Sequence, residues 1–268
     1  MDLSRLLSFD ELTVIAHRGG SRLRPENTVA SFDHAVTLGV DALECDVHVS
    51  ADGEPVVIHD ATLDRTTDAT GPVAARRADE LAQVDAGFQF GAGEGHPYRG
   101  RGYGVPRLSV LLDRYRALPV IIEIKGDRPE VAERALAVVR EAGALDRVIF
   151  GGFSQAVLET LRRLAPDVPT SASRDEIQGI LQGGGGWRPA AAPGYRLVQA
   201  PFRFEGRQVF GPDFVRAVRA AGYAVQAWIV DEPDDMSRLI DWGVTGIISD
   251  RPDVAIHVVR HILKSGNA

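Results

Sequence analysis

Two kinds of short apolar run in this 268-residue sequence end in side chains that bind protons, metals or phosphate. TVIAH ends in His17 and continues into Arg18, Gly19 and Gly20. ALECDV carries Glu44 and Asp46 two positions apart, and VIIEIK spaces Glu123 and Lys125 in the same way. In an extended chain, residues i and i+2 share a face, so each pair points to one side. Carboxylates gathered from separate strands repel one another. A divalent oxygen-seeking cation offsets that repulsion, and Mg²⁺ or Ca²⁺, with Mn²⁺ as a further choice, takes such ligands. Any one of these acids alone is equally well explained by an Arg or Lys partner inside the fold. Three acids with two histidines, an arginine and a lysine fit that plainer reading poorly.

The second histidine, His59, follows the run PVVI and precedes Asp60. Imidazole titrates near neutral pH, so His17 and His59 are candidates for an acid and a base. Cleaving a phosphodiester needs one group to take a proton from the nucleophile and another to return one to the leaving alkoxide. The cation and Arg18 would neutralise the non-bridging oxygens. Direct attack by water and attack by a neighbouring hydroxyl of the substrate, through a cyclic phosphate, both suit these groups.

These side chains need elements to position them. Strand candidates are 13–17, 42–49, 55–59, 120–125, 147–152, 169–173, 197–201, 224–230 and 246–249, alternating with amphipathic helical stretches at 28–38, 108–116, 130–141, 155–164, 175–181, 213–220, 233–242 and 252–263. Alternation of this kind predicts a parallel sheet wrapped by helices. Only Ser50 to Glu54 separate the second and third strands, with Asp52-Gly53 as a turn signal. A parallel neighbour needs a crossover of a dozen or more residues, so this pair is antiparallel. The third strand is then a hairpin arm, and eight strands and eight helices remain: a TIM (β/α)8 barrel, with its site at the C-terminal ends of the strands. The glycine-rich stretch from about 61 to 106 breaks the alternation. It reads as a small inserted cap within a single domain spanning 1–268, too poor in apolar residues to support a core of its own. The run Gly183–Gly186 reads as a flexible loop.

Composition narrows the function classes. Hydrophobic residues make up 44% and charged residues 25% of the chain, enough for a sizeable core with a soluble surface. The net charge of −7 and the absence of a basic run argue against nucleic acid. Cys45 is the only cysteine, which excludes an internal disulfide and a cysteine-rich zinc site. The opening residues carry Asp2, Arg5, Asp10 and Glu11 instead of a secretory apolar core, and no stretch is apolar enough for membrane insertion, so a cytoplasmic location is expected.

The run HRGGSRLRPENTVASFDHAVTLGVDALECDVHVSADGEPVVIHDATLDRTTDATGPV, from His17 to Val73, resembles the signature of glycerophosphodiester phosphodiesterases. The likeness continues through DELAQVDAGFQF, VPRLSVLLD and IIEIK to VQAWIVDEPDDMSRLIDWGVTGIISDRPD, covering essentially the whole chain. It implies His17 and His59 as the acid–base pair and Glu44, Asp46 and Glu123 as metal ligands. It further implies Arg18 and Lys125 as phosphate contacts and Trp228 as an aromatic wall of the cleft. Asn27, in PENT, would support the first-strand loop or cap the following helix. GGFSQ stands where the family more often has Ser-Phe; Phe153 is kept and its neighbour is not. His48 shares the face of Glu44 and Asp46, where the family has no fixed ligand. Trp187, Trp242, His34, His96, His257 and His261 read as packing or surface residues. The implied reaction is hydrolysis of a small glycerophosphodiester to glycerol 3-phosphate and an alcohol. A related enzymatic reading is a phospholipase D-type or cyclic-phosphate-forming enzyme acting on (lyso)phospholipids. A non-catalytic head-group-binding barrel would be expected to lack one or more of these polar groups, and none is missing.

Overall fold

The parallel strands are apolar on both faces, as expected where helices cover one side and the barrel interior the other. The structure, a computed structural model, describes residues 3–189 and 193–265. In chain order the strands are β1 (Thr13–Ala16), β2 (Ala42–Val49), β3 (Pro55–Val57), β4 (Val120–Ile124), β5 (Val148–Gly152), β6 (Leu197–Pro201), β7 (Arg203–Phe204), β8 (Arg207–Gln208), β9 (Ala224–Trp228) and β10 (Gly246–Ser249). The helices are α1 (Val29–Leu38), α2 (Ala78–Leu81), α3 (Leu108–Arg114), α4 (Pro129–Glu141), α5 (Gln155–Leu164), α6 (Arg174–Gly183), α7 (Pro212–Ala220), α8 (Pro233–Asp241) and α9 (Pro252–Ser265).

The main sheet runs β5-β4-β2-β1-β10-β9-β6, all parallel, with β3 antiparallel on β2 as the short turn requires. The expected strand at 169–173 is not a regular strand. It is reduced to two isolated parallel bridges, Phe150 with Thr170 and Ser171 with Leu197. Those bridges still close the ring: the Ser171 amide donates to the Phe150 carbonyl at 2.8 Å and the Arg196 amide to the Thr170 carbonyl at 2.9 Å. Pro169 has no amide hydrogen to extend the ladder. The architecture is a TIM-type barrel of seven regular strands and one abbreviated stave.

Inward-facing residues follow a vertical order. At the N-terminal end Ile15, Ala42, Ile121, Ile149, Leu197, Ala224 and Ile248 pack with Leu3 and Leu6, which plug that end. Above them the neutral amides of Gln199 and Gln226 pair at 2.8 Å. The charged residues lie higher, toward the strand C-termini. Outward faces such as Cys45, Ile122, Ile124 and Phe150 pack against the helices.

Two further expectations change. The stretch 61–106 does form an apolar cluster (Leu63, Val73, Ala78, Leu81, Val84, Ala86 and Val105), completed by Val56 and Ile58 from the β3 arm. Its apolar residues suffice because the hairpin lends it a wall. Gly183–Gly186 is helical, closing α6 and forming a 3-10 turn, and Trp187 packs against the barrel core. No helix among the described residues is long and apolar enough to cross a membrane.

Candidate active site

The parallel register of β2 and β4 sets Asp46 opposite Glu123, and the pleat puts Glu44 on the same face two residues earlier. One oxygen from each of the three carboxylates lies within 4.8 Å of the others. Glu44 and Asp46 are buried and Glu123 is half-buried. Cations surround Asp46: Lys125 Nζ is 2.8 Å from its Oδ1 and Arg18 Nε 3.0 Å from its Oδ2. Lys125 also donates to Glu123 Oε1 at 2.6 Å. Burial works against the Asp46 charge, but Lys125 and Arg18 hold its carboxyl well below the usual carboxylate range. Glu44 has weaker cationic support, from His17 and Arg18. Burial and the neighbouring Asp46 push it up to about 8.

Glu44 receives the backbone N–H of Arg18 at 2.9 Å, and His17 Nε2 lies 4.0 Å from the same carboxylate. The chain reaches this geometry by leaving β1 one residue earlier than expected. His17 to Gly19 form a single 3-10 turn, with Arg18 in the left-handed region at φ 51°. Gly19 is required beside it: a Cβ there would sit 2.5 Å from Ser31 Oγ and 2.8 Å from the Phe32 amide nitrogen of α1.

Each histidine is backed by a carboxylate. His17 Nδ1 lies 2.5 Å from Asp250 Oδ1, just beyond β10. An ionised carboxylate only accepts, so Nδ1 carries the hydrogen and Nε2 is left free to exchange a proton. Burial lowers the affinity of His17 for a proton, yet Asp250 and Glu44 outweigh it and its pKa is raised. Asp250 is in turn fixed by Asp231, whose Oδ1 accepts from the Asp250 amide and from Ser249 Oγ, both at 2.9 Å. His59 Nδ1 makes the matching contact with Asp60 Oδ1 at 2.6 Å.

His48 does not join the acid cluster: its Nε2 bonds the backbone carbonyl of His59 at 3.0 Å and steadies that loop. Asn27 reaches Asp46 Oδ2 through Nδ2 at 2.8 Å, while Thr28 caps α1. Trp228 ends β9, across the barrel mouth from β2 and β4, and its ring meets Phe153 edge to face at 5.9 Å between centroids. Asp250, Asp60, Asp231 and the ion-pair partners Glu26 and Arg65 were not singled out from the sequence. Position alone could have flagged Asp250, because SDRP follows the last strand and residues there face the mouth.

The donor set suits a hard divalent cation: three oxygen ligands within mutual reach, with a buried Asp46 Oδ1 2.8 Å from the Lys125 ammonium.

Comparison with known proteins points to one family. The glycerophosphoryl diester phosphodiesterase family pattern matches residues 17–254. A glycerophosphodiester phosphodiesterase of Caldanaerobacter subterraneus is 34% identical over 253 residues, covering 92% of this chain and 97% of the relative. One from Bacillus subtilis is 30% identical, covering 93% and 87%. Among solved structures, a Silicibacter pomeroyi putative glycerophosphoryl diester phosphodiesterase superposes with a TM-score of 0.79 at 29% identity, covering 97% of this chain and 98% of the other. An Oleispira antarctica phosphodiesterase, solved with the product sn-glycerol-3-phosphate, superposes with a TM-score of 0.76 at 25% identity, covering 92% and 96%. By sequence and by fold, the chain belongs to the glycerophosphoryl diester phosphodiesterase family and is an enzyme of that family.

Proposed function

We propose that this chain hydrolyses glycerophosphodiesters to sn-glycerol 3-phosphate and an alcohol, with Glu44, Asp46 and Glu123 holding one divalent cation, Mg²⁺, Ca²⁺ or Mn²⁺, and His17 and His59 moving the protons. The observation that carries this reading is the meeting of three carboxylates within 4.8 Å, beside one imidazole and close to the hairpin that carries a second. When bound, the cation withdraws charge from the phosphoryl oxygens. Arg18 and Lys125 add two fixed positive charges beside Asp46, where a phosphate replaces part of their carboxylate contacts. Asp250 and Asp60 hold hydrogen on Nδ1 of each ring, so proton exchange is confined to Nε2. Trp228, with Phe153, offers an apolar face to the substrate opposite the charged wall. Residues 61–106 act as a cap within one catalytic unit. The free, buried Cys45 suits a reducing, cytoplasmic setting.

The direct test is a coupled assay for released glycerol 3-phosphate across a panel of glycerophosphodiesters, after chelation and with each metal restored singly. Loss on chelation and recovery with at least one divalent cation is expected. Full turnover in chelator would remove the metal from the reaction, and cleavage confined to lysophospholipids would move the enzyme to the phospholipase D-type class.

A further inference from the structure

The inserted stretch reaches the site through one side chain. Arg65, within it, makes two bidentate forks at once. Its Nε and Nη2 donate to Asp60 Oδ2 and Oδ1 at 2.6 and 3.1 Å, and its Nη1 and Nη2 donate to Glu26 Oε2 and Oε1 at 2.8 Å each. Asp60 is the carboxylate behind His59. Glu26 is the carboxylate that receives Arg18 Nη1 at 2.9 Å, and Arg18 Nε in turn faces Asp46. An unbroken chain of hydrogen bonds and ion pairs therefore runs from His59 through Asp60, Arg65, Glu26 and Arg18 to Asp46.

We propose that Arg65 is a positioning residue that ties His59 and Arg18 into one rigid unit, so that docking of the inserted segment sets their spacing; this rests on the proton-transfer and phosphate-binding roles proposed above. Each is anchored separately on β2, His59 through its carbonyl to His48 Nε2 and Arg18 through its amide to Glu44, and among the described residues the Arg65 forks are what join the two side chains through their carboxylate partners. Arg65 itself is carried on a turn anchored in the segment's apolar cluster. Leu63 is fully buried there, its amide bonds the Gly71 carbonyl at 3.0 Å, and Thr67 Oγ1 returns to the Leu63 carbonyl at 2.8 Å. Exposed ion pairs contribute little on average, but bidentate pairs within a network are the exception. Here Arg65 is about half exposed, whereas the Glu26 and Asp60 side chains retain only 16% and 28% exposure. A lysine, with one point charge, cannot make both forks.

The two arms predict different kinetic signatures in the full chain, assayed with glycerophosphocholine. Asp60→Asn lowers kcat with little change in KM, because it touches the His59 arm. Glu26→Gln raises KM, because it touches the Arg18 arm. Arg65→Ala does both, by about tenfold to a hundredfold in kcat/KM, the scale of hydrogen bonds to charged groups. Arg65→Lys restores less than half of that loss on a logarithmic scale. Adding Arg65→Ala to Asp60→Asn costs no further kcat beyond about twofold, since the arm is already cut at Asp60. Thermal melts of each variant separate a kinetic loss from unfolding. Proton NMR gives a readout independent of turnover: a downfield Nδ1 proton, assigned to His59 by its disappearance in His59→Ala, should be present in the wild type and lost or broadened in Arg65→Ala. Arg65→Ala within about threefold of wild type, full rescue by lysine, multiplying losses in the double variant, an absent Nδ1 signal in the wild type, or an unchanged one in Arg65→Ala would each overturn the proposal. Wild-type activity retained in His59→Ala would instead contradict the proton-transfer assignment, and the NMR comparison would still decide whether Arg65 holds His59.

Discussion

The two walls of the barrel mouth differ sharply. The wall built by β10, β1, β2 and β4 presents Asp250, His17, Glu44, Asp46, Glu123 and Lys125, nearly all paired with one another. The wall built by β5, the abbreviated stave, β6 and β9 presents Gly151, Ser171 and Trp228 above the buried Gln199–Gln226 pair, with Phe153 half exposed beside Trp228. A Cβ added to Gly151 would meet Ser171 Oγ and Gln199 Oε1, at 3.4 and 3.5 Å, both neutral groups. The same pleat and the same helix layer support both. The difference lies in which interior positions carry charge, and on the proposed function it assigns bond cleavage to one wall and accommodation of the departing group to the other.

Substitutions on the charged wall should act on kcat, and the largest effect belongs to the imidazoles. His17→Ala and His59→Ala are each expected to reduce kcat by about a thousandfold while Mn²⁺ binding persists, read by steady-state kinetics beside a metal titration. Asp250→Asn should follow, lowering kcat by about tenfold to a hundredfold with KM nearly unchanged, because His17 loses the acceptor that fixes its Nδ1 hydrogen. On the opposite wall the pattern inverts. Trp228→Ala and Phe153→Ala should raise KM by about three- to tenfold with kcat within about twofold, and the increase should vary with the alcohol group of the diester. A kcat loss there as large as that of Asp250→Asn would erase the distinction between the walls.

The smallest effect concerns acid stability. The Arg65 hydrogen bonds hold Asp60 down to about 2, against about 3.9 for an unfolded aspartate. A carboxyl held low stabilises the fold above its unfolded value, and that contribution disappears as pH falls through the folded one. The melting-temperature gap between wild type and Asp60→Asn should therefore be constant above about pH 5 and close between about pH 4 and pH 2. A gap that widens in that interval would reverse the assignment.

Much of the charged wall was legible in the sequence, because a two-residue period states which side chains share a face. Glu44 with Asp46, and Glu123 with Lys125, needed nothing more, and the five-residue β2–β3 connection settled the hairpin. Repulsion among the acids pointed to a cation, and the family resemblance supplied the substrate class. Asp250 was not legible in the same way. Its partner His17 is 233 residues distant, and only the closure of β10 onto β1 brings them together. Asn27 had two readings, and the left-handed φ of 56° decided between them by turning it toward Asp46 and leaving Thr28 to cap the helix. The stave at 169–173 read as a strand by its place in the alternation of strands and helices, and proline at its start left it only two bridges.

The central claim, one cation held by acids from two adjacent strands, is tested most directly by titrating Mn²⁺ into the metal-free chain by calorimetry or electron spin resonance. One ion per chain is expected for the wild type, with affinity falling by at least about tenfold in Glu123→Ala and in Asp46→Ala. Undiminished binding in either variant, or no saturable binding in the wild type, would contradict it.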